Sequence, residues 1–424
     1  MYNHRTYLGK EPACKRIDFA AVGHFRARAV GRETAERVDL VSSVFVFLIV
    51  VYLIAALVQA LLPFSVNRLI GAAIVAVLGY DFVTNLTRGR IIASCLICIL
   101  ALAHVGIFST DQIEEMEFYI YWVAALLTLI YIGSSDHVRS LQQVVLRNRT
   151  VLRLILIGIA VFTGALLASG VGYAASWGDS LYFVGFCNEE HTVASVCCLV
   201  MGLALLCMKA DGLRAPLAFV IIGVMTWALL ETGARTFLVP AAVIWVVFVR
   251  NSIKWRWLRV SLYCFLGIAA IYVFMRSGMS TKFDYLSTIG TDNSLLNTIT
   301  SGRIGYWETD LGAYFSNGPI VWLFGNSAAS VYDLNYATFN MRIWAHNDFV
   351  MLLCSAGLIG AILYILALRI FFTGLAGRAD KVSVALIALF VLFPALINGF
   401  YSYQHLLYAS VILFCAVTWT QESL

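Results

Sequence analysis

The amino-acid sequence predicts an all-α polytopic membrane protein with about twelve transmembrane helices. Of its 424 residues, 61% are hydrophobic and only 12% are charged, and the mean hydropathy is +0.84. A water-soluble protein of this length could not bury so much apolar surface, so the composition indicates a membrane protein. The formal net charge of +5 is small. It gives no argument for nucleic-acid binding, because basic residues of membrane proteins collect in cytoplasmic loops.

Twelve apolar stretches are candidates for membrane spans, since about 20 apolar residues cross a bilayer. Two of them, 216-231 and 236-250, are short and could instead form one kinked element. The twelve stretches are 41-62, 67-85, 91-108, 118-133, 151-174, 191-208, 216-231, 236-250, 258-275, 347-371, 382-400 and 404-419.

The charge of the connecting loops predicts the orientation of these spans. Every basic loop falls on one side of the membrane if the spans alternate, and the loops on the other side are acidic or neutral. The positive-inside rule then places both termini in the cytoplasm. The basic loop residues are Arg88, Arg90, Arg139, Arg147, Arg149, Lys209, Arg214, Arg250, Lys254, Arg256, Arg378 and Lys381.

These boundaries predict four regions. A basic cytoplasmic tail covers 1-40, transmembrane helices 1-9 cover 41-275, a large periplasmic loop covers 276-345, and transmembrane helices 10-12 cover 346-424. The segment 134-150 alternates apolar residues with arginines, which predicts either an amphipathic helix along the inner surface or a solvated connector.

The ten cysteines predict neither disulfides nor a redox centre. Eight of them lie in apolar stretches, where cysteine behaves as a small hydrophobic residue. Cys95 and Cys98 form a CxxC pattern, but inside a predicted span and without a second pair.

Arg235 is the first residue that could carry chemistry. It lies in Glu231-Thr232-Gly233-Ala234-Arg235-Thr236, between two apolar stretches on the predicted outer side. An arginine beside a span is costly and is usually paired, snorkelling or functional. Its planar guanidinium suits phosphate, so Arg235 is either an anion-binding residue or half of a structural ion pair with Glu231.

Arg303 is the second candidate, in Ser301-Gly302-Arg303 with Trp307 downstream. The following Glu308, Leu311 and Phe315 have the spacing of a short amphipathic helix at the membrane interface. A helix with aromatic residues there could equally be a surface anchor, because Trp and Tyr are enriched at membrane interfaces.

His346 is the candidate for acid–base chemistry. Ala345-His346-Asn347-Asp348 precedes a predicted span, where polar side chains can cap the first turn of a helix. The positive end of the helix dipole should lower the pKa of His346 and keep it neutral, so that it can act as a base. The alternative is that His-Asn-Asp is only a helix cap.

Other polar residues of the predicted outer loops are weaker candidates. Glu189, Glu190 and His191 precede a span, and His405 begins the last one. With His346 these could in principle form a metal site, but no HExxH or Cys/His pair supports one. Glu190 could instead orient an acceptor. A Gly-rich nucleotide loop and a DxD motif are both absent, which argues against a nucleotide-sugar donor.

Taken in order, these motifs resemble the O-antigen ligase/polymerase superfamily of bacterial membrane glycosyltransferases. The resemblance consists of Ser301-Gly302-Arg303 with Trp307, then Gly325-Asn326, then Ala345-His346-Asn347-Asp348 and a helix with Gly357-Leu358-Ile359-Gly360. Thr232-Gly233-Ala234-Arg235 is similar to the family's Thr-Gly-Ser-Arg, with Ala234 in place of Ser. The motifs cover roughly 225-365; the N-terminal half is similar only in hydropathy.

The resemblance implies a GT-C-like helical fold in the bacterial inner membrane. It implies a periplasmic, inverting reaction on undecaprenyl-diphosphate-linked glycans that requires neither a cofactor nor a metal. Arg235 and Arg303 would hold the diphosphate and His346 would activate the acceptor, with Glu190, Asn347 and Asp348 as supporting residues.

Two branches of the superfamily differ in the acceptor. A polymerase transfers the glycan to a second lipid-linked repeat unit and a ligase to lipid A–core; His346-Asn347-Asp348-Phe349 looks more like the polymerase branch. The double RX10G loop pattern of some polymerases is absent from the predicted periplasmic loop, because Arg276 to Gly290 and Arg303 to Gly312 have other spacings, which leaves the ligase open. Chain-length regulator proteins are a further expected partner.

A transporter of lipid-linked glycans is the alternative from another class. Few charges lie deep in the predicted spans and no internal repeat is visible, which weakens it.

Overall fold

The structure, a computed structural model, describes residues 19–61, 66–108, 111–177, 180–187, 189–276 and 303–419. It is helical apart from one small hairpin, as the sequence predicts. The described elements are α1 (Phe19–Leu57), α2 (Val66–Thr84), α3 (Arg88–Ala103), α4 (Gln112–Ile132), α5 (Ser135–Arg147), α6 (Arg149–Ser169), β1 (Tyr173–Trp177), β2 (Ser180–Phe183), α7 (Glu190–Lys209), α8 (Ala215–Glu231), α9 (Leu238–Ser252), α10 (Arg256–Arg276), α11 (Arg303–Ser316), α12 (Pro319–Phe324), α13 (Ala328–Phe339), α14 (Asp348–Ala376), α15 (Lys381–Ile397) and α16 (Gln404–Val417).

Eight helical stretches of the described chain are long and apolar enough to cross a membrane, which confirms a membrane-embedded protein. Three shorter apolar helices, α8, α15 and α16, accompany them. Each of the twelve predicted spans coincides with a helix, while the count of twelve crossings stays a prediction. The eight stretches are Arg37–Leu57, Val66–Thr84, Arg88–Gly106, Gln112–Ile132, Arg149–Ser169, Glu190–Lys209, Arg235–Ser252 and Asp348–Ala376.

Two segments show more structure than the sequence indicates. Helix α1 already starts at Phe19, within the predicted tail 1-40, and continues without a break into the first candidate span, Arg37–Leu57. The segment 134-150 forms the amphipathic helix α5, whose apolar residues are buried against the bundle. Gln142 of α5 donates to the carbonyl of Cys415 at 2.9 Å, so this segment is packed and not a solvated connector.

The stretches 216-231 and 236-250 form two helices that fold back on each other. Gly233, with φ +66°, turns the chain after α8, and a 3-10 turn (Arg235–Phe237) leads into α9. The Trp245 indole donates to the Thr226 hydroxyl at 2.9 Å, which ties the two helices side by side. The alternative prediction, that the two stretches form one kinked element, is therefore wrong.

Helices α7 and α16 pack along each other in the centre of the bundle, and almost all their residues are buried. Both begin at the same end of the bundle as α9 and α14. Gln59, which lies near the start of α16, and Asp111, which lies near Arg342, are at this end too. We call this the site end. The opposite end carries basic residues, among them Arg250, which pairs with Asp380 at 3.0 Å, and Arg147, which pairs with Asp39 at 2.7 Å.

The predicted loop 276-345 is largely helical where the structure describes it. Helices α11, α12 and α13 form a three-helix segment at the site end; α11 confirms the predicted amphipathic helix. Residues 277–302, with Ser301 and Gly302 of the arginine motif, lie outside the described residues.

A backbone contact joins this segment to α14. The Asn326 N–H donates to the carbonyl of Cys354 at 2.8 Å, and the Ser327 N–H to that of Ser355 at 3.2 Å. Gly357 has φ +66° and interrupts α14 there, where its Cα lies against the backbone of 323–325. The sequence predicts that this glycine allows close helix packing. In the structure the close contact is between two backbones, and it requires a break in helix α14.

Glu115 of α4 anchors the same segment. Its side chain is fully buried and accepts hydrogen bonds from the N–H groups of Ala328 (2.7 Å) and Ala329 (3.2 Å) at the start of α13. A carboxylate at this position satisfies two helix N–H groups that would otherwise have no acceptor.

We expect Glu115→Ala to destabilise the protein by about 1–3 kcal/mol, because it leaves these buried N–H groups unsatisfied. Thermal unfolding in detergent and protease cleavage between residues 303 and 345 measure the effect. Glu114→Ala is the matched control: it removes a partly exposed ion pair with Arg342, for which about 0–1 kcal/mol is typical. Equal effects of the two substitutions would contradict the anchoring role.

Candidate functional site

His346 lies at the site end, just before α14, in a backbone conformation rare for residues other than glycine. Its φ is +52°. Nδ1 lies 2.9 Å from the amide oxygen of Asn398, which is completely buried. Because an amide oxygen can only accept, Nδ1 carries the proton and Nε2 of the neutral ring keeps its lone pair. The residue as a whole is half-buried, and the lone pair on Nε2 is what makes the neutral ring a base.

The next two residues hold the same part of the chain. The Asn347 side chain caps the first turn of α14 and donates to the carbonyl of Leu396 at 2.8 Å. The Asp348 carboxylate is fully buried and accepts from the N–H groups of 400 and 401 and from the Tyr364 hydroxyl. Asn347 is thus the helix cap, whereas the His346 side chain turns toward Asn398.

Residues 396–401, which comprise the end of α15 and the turn after it, form all these bonds, and we call them the receiving turn. Gly399, with φ +154°, lies against the Trp344 ring where a side chain would not fit. Sequence reasoning missed Asn398, although Asn-Gly shortly after Pro394 is a turn signal.

Arg303, the first residue of α11, donates from Nη1 to the carbonyl of Ile397 at 2.5 Å. This carbonyl belongs to the last turn of α15, where unpaired carbonyls attract a cation. Burial lowers the pKa of Arg303 to about 10, and repulsion by Arg235 acts in the same direction. The guanidinium therefore still carries its charge at neutral pH.

The pKa of His346 lies well below its ordinary value, chiefly because the ring is buried. The charge of Arg303 lowers it further, followed by that of His191, while the bond to Asn398 opposes the shift. The direction agrees with the sequence prediction, but these causes are tertiary contacts and not the helix dipole alone.

Arg235 opens the 3-10 turn between α8 and α9, and this turn contacts α7 and α15. It lies within electrostatic reach of Arg303 and of Tyr182 in β2. Glu231, the predicted ion-pair partner, accepts a hydrogen bond from Trp227 at 3.3 Å. The structure thus places Arg303 within electrostatic reach of both Arg235 and His346, which come from distant parts of the chain.

The starts of α7 and α16 complete the cluster. The rings of His191 and Tyr403 are stacked at 6.0 Å, and Tyr403 also contacts Phe237 and Trp344. The carboxylate of Glu190 lies 3.6 Å from Nδ1 of His191. Glu190 thus borders the site through His191, while the central role of Tyr403 was not predicted.

A half-open cavity of about 290 Å³ lies beside the cluster, with Tyr403 in its wall. Arg68 and Glu117 form an ion pair in it at 2.8 Å, and the Tyr121 hydroxyl donates to Glu117 at the same distance. A wall of hydroxyl, carboxylate and amide groups suits a polyhydroxylated ligand. Its other residues are Tyr52, Gln59, Asn67, Glu189, Thr192, Ser195, Ser402, Gln404 and His405.

No three His, Cys, Asp or Glu side chains of the described residues cluster as metal ligands would. The ring of His405, one of the histidines of the predicted outer loops, lies 4.4 Å from that of Tyr52 in α1, with the two planes tilted by 34°.

No protein-family model matches the chain, and no curated protein matches its sequence.

We expect Arg303→Gln to raise the pKa of His346 toward its ordinary value. Arg303 disfavours the imidazolium form, so the ring should accept a proton at higher pH once this charge is removed. NMR titration of histidine-labelled protein measures the pKa, and His346→Gln identifies the signal.

Arg68→Gln is the control, because Arg68 pairs with Glu117 and should leave the pKa of His346 unchanged. A titration of His346 that does not move in Arg303→Gln would show that the two groups are not coupled.

Proposed function

We propose that the chain is a glycosyltransferase that acts on a polyprenyl-diphosphate-linked glycan and transfers it to a second lipid-linked repeat unit. One observation carries this proposal: Arg303 lies within electrostatic reach of both Arg235 and His346, and the bond from Nδ1 of His346 to Asn398 favours the neutral tautomer with a free Nε2 lone pair. Such a site can bind a diphosphate and remove a proton from a hydroxyl group at the same place. The sequence resemblance implies that the lipid carrier is undecaprenyl diphosphate and that the fold is GT-C-like.

Arg235 and Arg303 stabilise the diphosphate as it leaves. Breaking the glycosidic bond to phosphate develops negative charge on the leaving group, and preorganised cations in a poorly hydrated site lower the energy of that charge. Arg303 commits Nη1 to Ile397, so the other N–H groups of its guanidinium remain for phosphate oxygens.

His346 acts as the base toward the acceptor hydroxyl. Nε2 takes the hydroxyl proton, the acceptor oxygen forms a bond to the anomeric carbon, and the bond from that carbon to the diphosphate oxygen breaks with inversion. The diphosphate leaves with the electron pair, and the proton passes from His346 to water. The bond from Nδ1 to Asn398 keeps the ring in the required tautomer.

Donor binding should make His346 a better base. In the free site the charge of Arg303 lowers the pKa of His346. A bound diphosphate would offset that charge and raise the pKa of the imidazole toward the working pH, where general bases are most effective. Asp348 is a positioning residue in this scheme, because both its oxygens accept hydrogen bonds from the protein.

Two features support the rest of the proposal. The cavity next to Tyr403 has the polar lining expected for the glycan of the acceptor, and Glu189 and Thr192, which flank Glu190 and His191 in the sequence, are part of its wall. The basic residues of the opposite end favour a cytoplasmic location for it, which would expose the site end to the periplasm. The reaction as written uses only protein groups, so it should proceed in chelator.

We expect His346→Ala to lower glycan transfer by about 10²–10⁴-fold, the usual contribution of a positioned base. Purified protein in nanodiscs, incubated with a lipid-linked donor and chelator, should form polymer only with His346 present. Protein level and monodispersity establish that the variant folds. Near-normal polymer from His346→Ala would refute the assignment, and absence of transfer by the wild type would favour a transporter.

Arg235→Lys should reduce transfer by about 10²-fold, because lysine keeps the charge but lacks the planar fork that binds phosphate. The transfer rate with saturating and limiting donor measures this. Arg214→Lys is the control, since Arg214 is exposed at the opposite end. Wild-type rates with Arg235→Lys would indicate a structural role.

A ligase remains the second candidate because the double RX10G pattern is absent from the predicted periplasmic loop 276-345. The glycolipids of a deletion strain separate the two. Loss of long polymer with single repeats still on lipid A–core indicates a polymerase, whereas accumulation of lipid-linked polymer with none on lipid A–core indicates a ligase.

A further inference from the structure

A second half-open cavity, of about 240 Å³, lies within the three-helix segment, away from His346. It is walled by α11, α12, α13 and the first part of α14. Its polar lining comes from Asp310, Tyr314, Asn317, Asn326 and Ser330, and the rest of the wall is mostly apolar.

Asp310 is the unusual group in this wall. Its side chain is only 2% exposed, and although the Asn335 amide lies close enough to interact with it, neither carboxylate oxygen has a hydrogen bond of good geometry among the described residues. Buried carboxylates are normally paired or hydrogen-bonded, because ionised groups lose much hydration free energy on burial. Burial raises the pKa of Asp310 to about 7, and the nearby Asn335 amide only partly opposes this shift.

The two hydroxyl groups of the wall have already used their donors. The Tyr314 hydroxyl donates to the carbonyl of Trp322 (2.6 Å) and the Ser330 hydroxyl to that of Ser327 (2.8 Å), and one N–H of the Asn317 amide donates to that of Ala313 (2.7 Å). Toward a ligand, the two hydroxyl oxygens and the Asp310 carboxylate can therefore act as acceptors. A ligand that complements them must supply several hydrogen-bond donors.

A saccharide fits this chemistry better than a metal ion. Sugar hydroxyls donate to carboxylate, amide and hydroxyl oxygens, and sugar carbon faces pack on groups such as Tyr314, Val321 and Leu334. A divalent cation would require more anionic oxygen ligands than the single carboxylate here. The volume suits a small ligand such as one sugar ring.

The position of Asp310 relates this cavity to the site above. Asp310 follows Arg303 by seven residues on α11, which is two turns and about 10 Å along the helix on nearly the same face. A glycan bound at Arg303 could therefore extend toward Asp310.

We propose that the Asp310 cavity is a saccharide-binding subsite. Resting on the proposed function, we infer further that it holds a non-reacting sugar of the substrate glycan. Binding there contributes to substrate affinity and positioning away from the bond that breaks.

Saturation-transfer NMR on the purified full-length protein tests the subsite directly. The probes are free glucose, galactose, mannose, rhamnose and N-acetylglucosamine, each at pH 6 and pH 8. We expect at least one of them to bind, and to bind more tightly at pH 8, because hydroxyl donors favour the ionised carboxylate. Asp310→Asn should weaken this binding about tenfold and remove its pH dependence.

Two further variants complete the test. Ala313→Phe should block binding by filling the cavity without changing the carboxylate. Asp333→Asn, which alters an exposed carboxylate of α13 paired with Arg342, should bind as the wild type does. Failure of every sugar to bind the wild type, or binding unaffected by both Asp310→Asn and Ala313→Phe, would overturn the subsite.

The outcomes separate this inference from the proposed function. In one outcome the wild type transfers glycan, His346→Ala does not, and sugar binding is unchanged by substitution of Asp310. The proposed transferase function is then supported and the subsite is refuted. If sugar binding requires Asp310 but the wild type transfers no glycan, the subsite stands and the transferase is refuted.

Discussion

The site depends on the hydrogen bonds by which three consecutive residues, His346, Asn347 and Asp348, hold the receiving turn in place. The buried carboxylate of Asp348 accepts the N–H groups of 400 and 401, which have no helical partners, and Asn347 binds the carbonyl of Leu396. These bonds fix where Asn398 lies, and Asn398 in turn fixes the tautomer of His346. They also hold the end of α15, whose Ile397 carbonyl accepts from Arg303. One buried carboxylate thus helps to orient the base and the cation together.

Charge within the cluster is arranged to favour an anion. Arg235 and Arg303 are close enough for the first to lower the pKa of the second, and Arg303 lowers the pKa of His346. Groups that repel one another in the free protein release that repulsion when a negative ligand lies between them. The same contacts couple ligand binding to the basicity of His346, since an anion near Arg303 changes the protonation equilibrium of the imidazole.

The three-helix segment connects this chemistry to the membrane helices. Glu115 holds the start of α13 on α4, and the broken helix at Gly357 lets residues 323–327 contact the backbone of α14. Helix α11 then carries Arg303 into the cluster at its first residue and Asp310 into the second cavity two turns later. A displacement of α11 would move both groups, because Arg303 and Asp310 lie on the same helix.

Hydropathy alone predicts the long apolar helices. The thickness of a bilayer requires a long apolar run at each crossing, and such runs are local in sequence. The polar motifs likewise indicated Arg235, Arg303 and His346, since an arginine beside a span and a histidine before a helix are unusual in so apolar a chain. The sequence could not indicate Asn398, Tyr403 or Asp310 as members of a site. Their roles arise from contacts between residues far apart in the chain, and from burial, which changes the hydration and hydrogen bonding of a polar group only after the helices have packed.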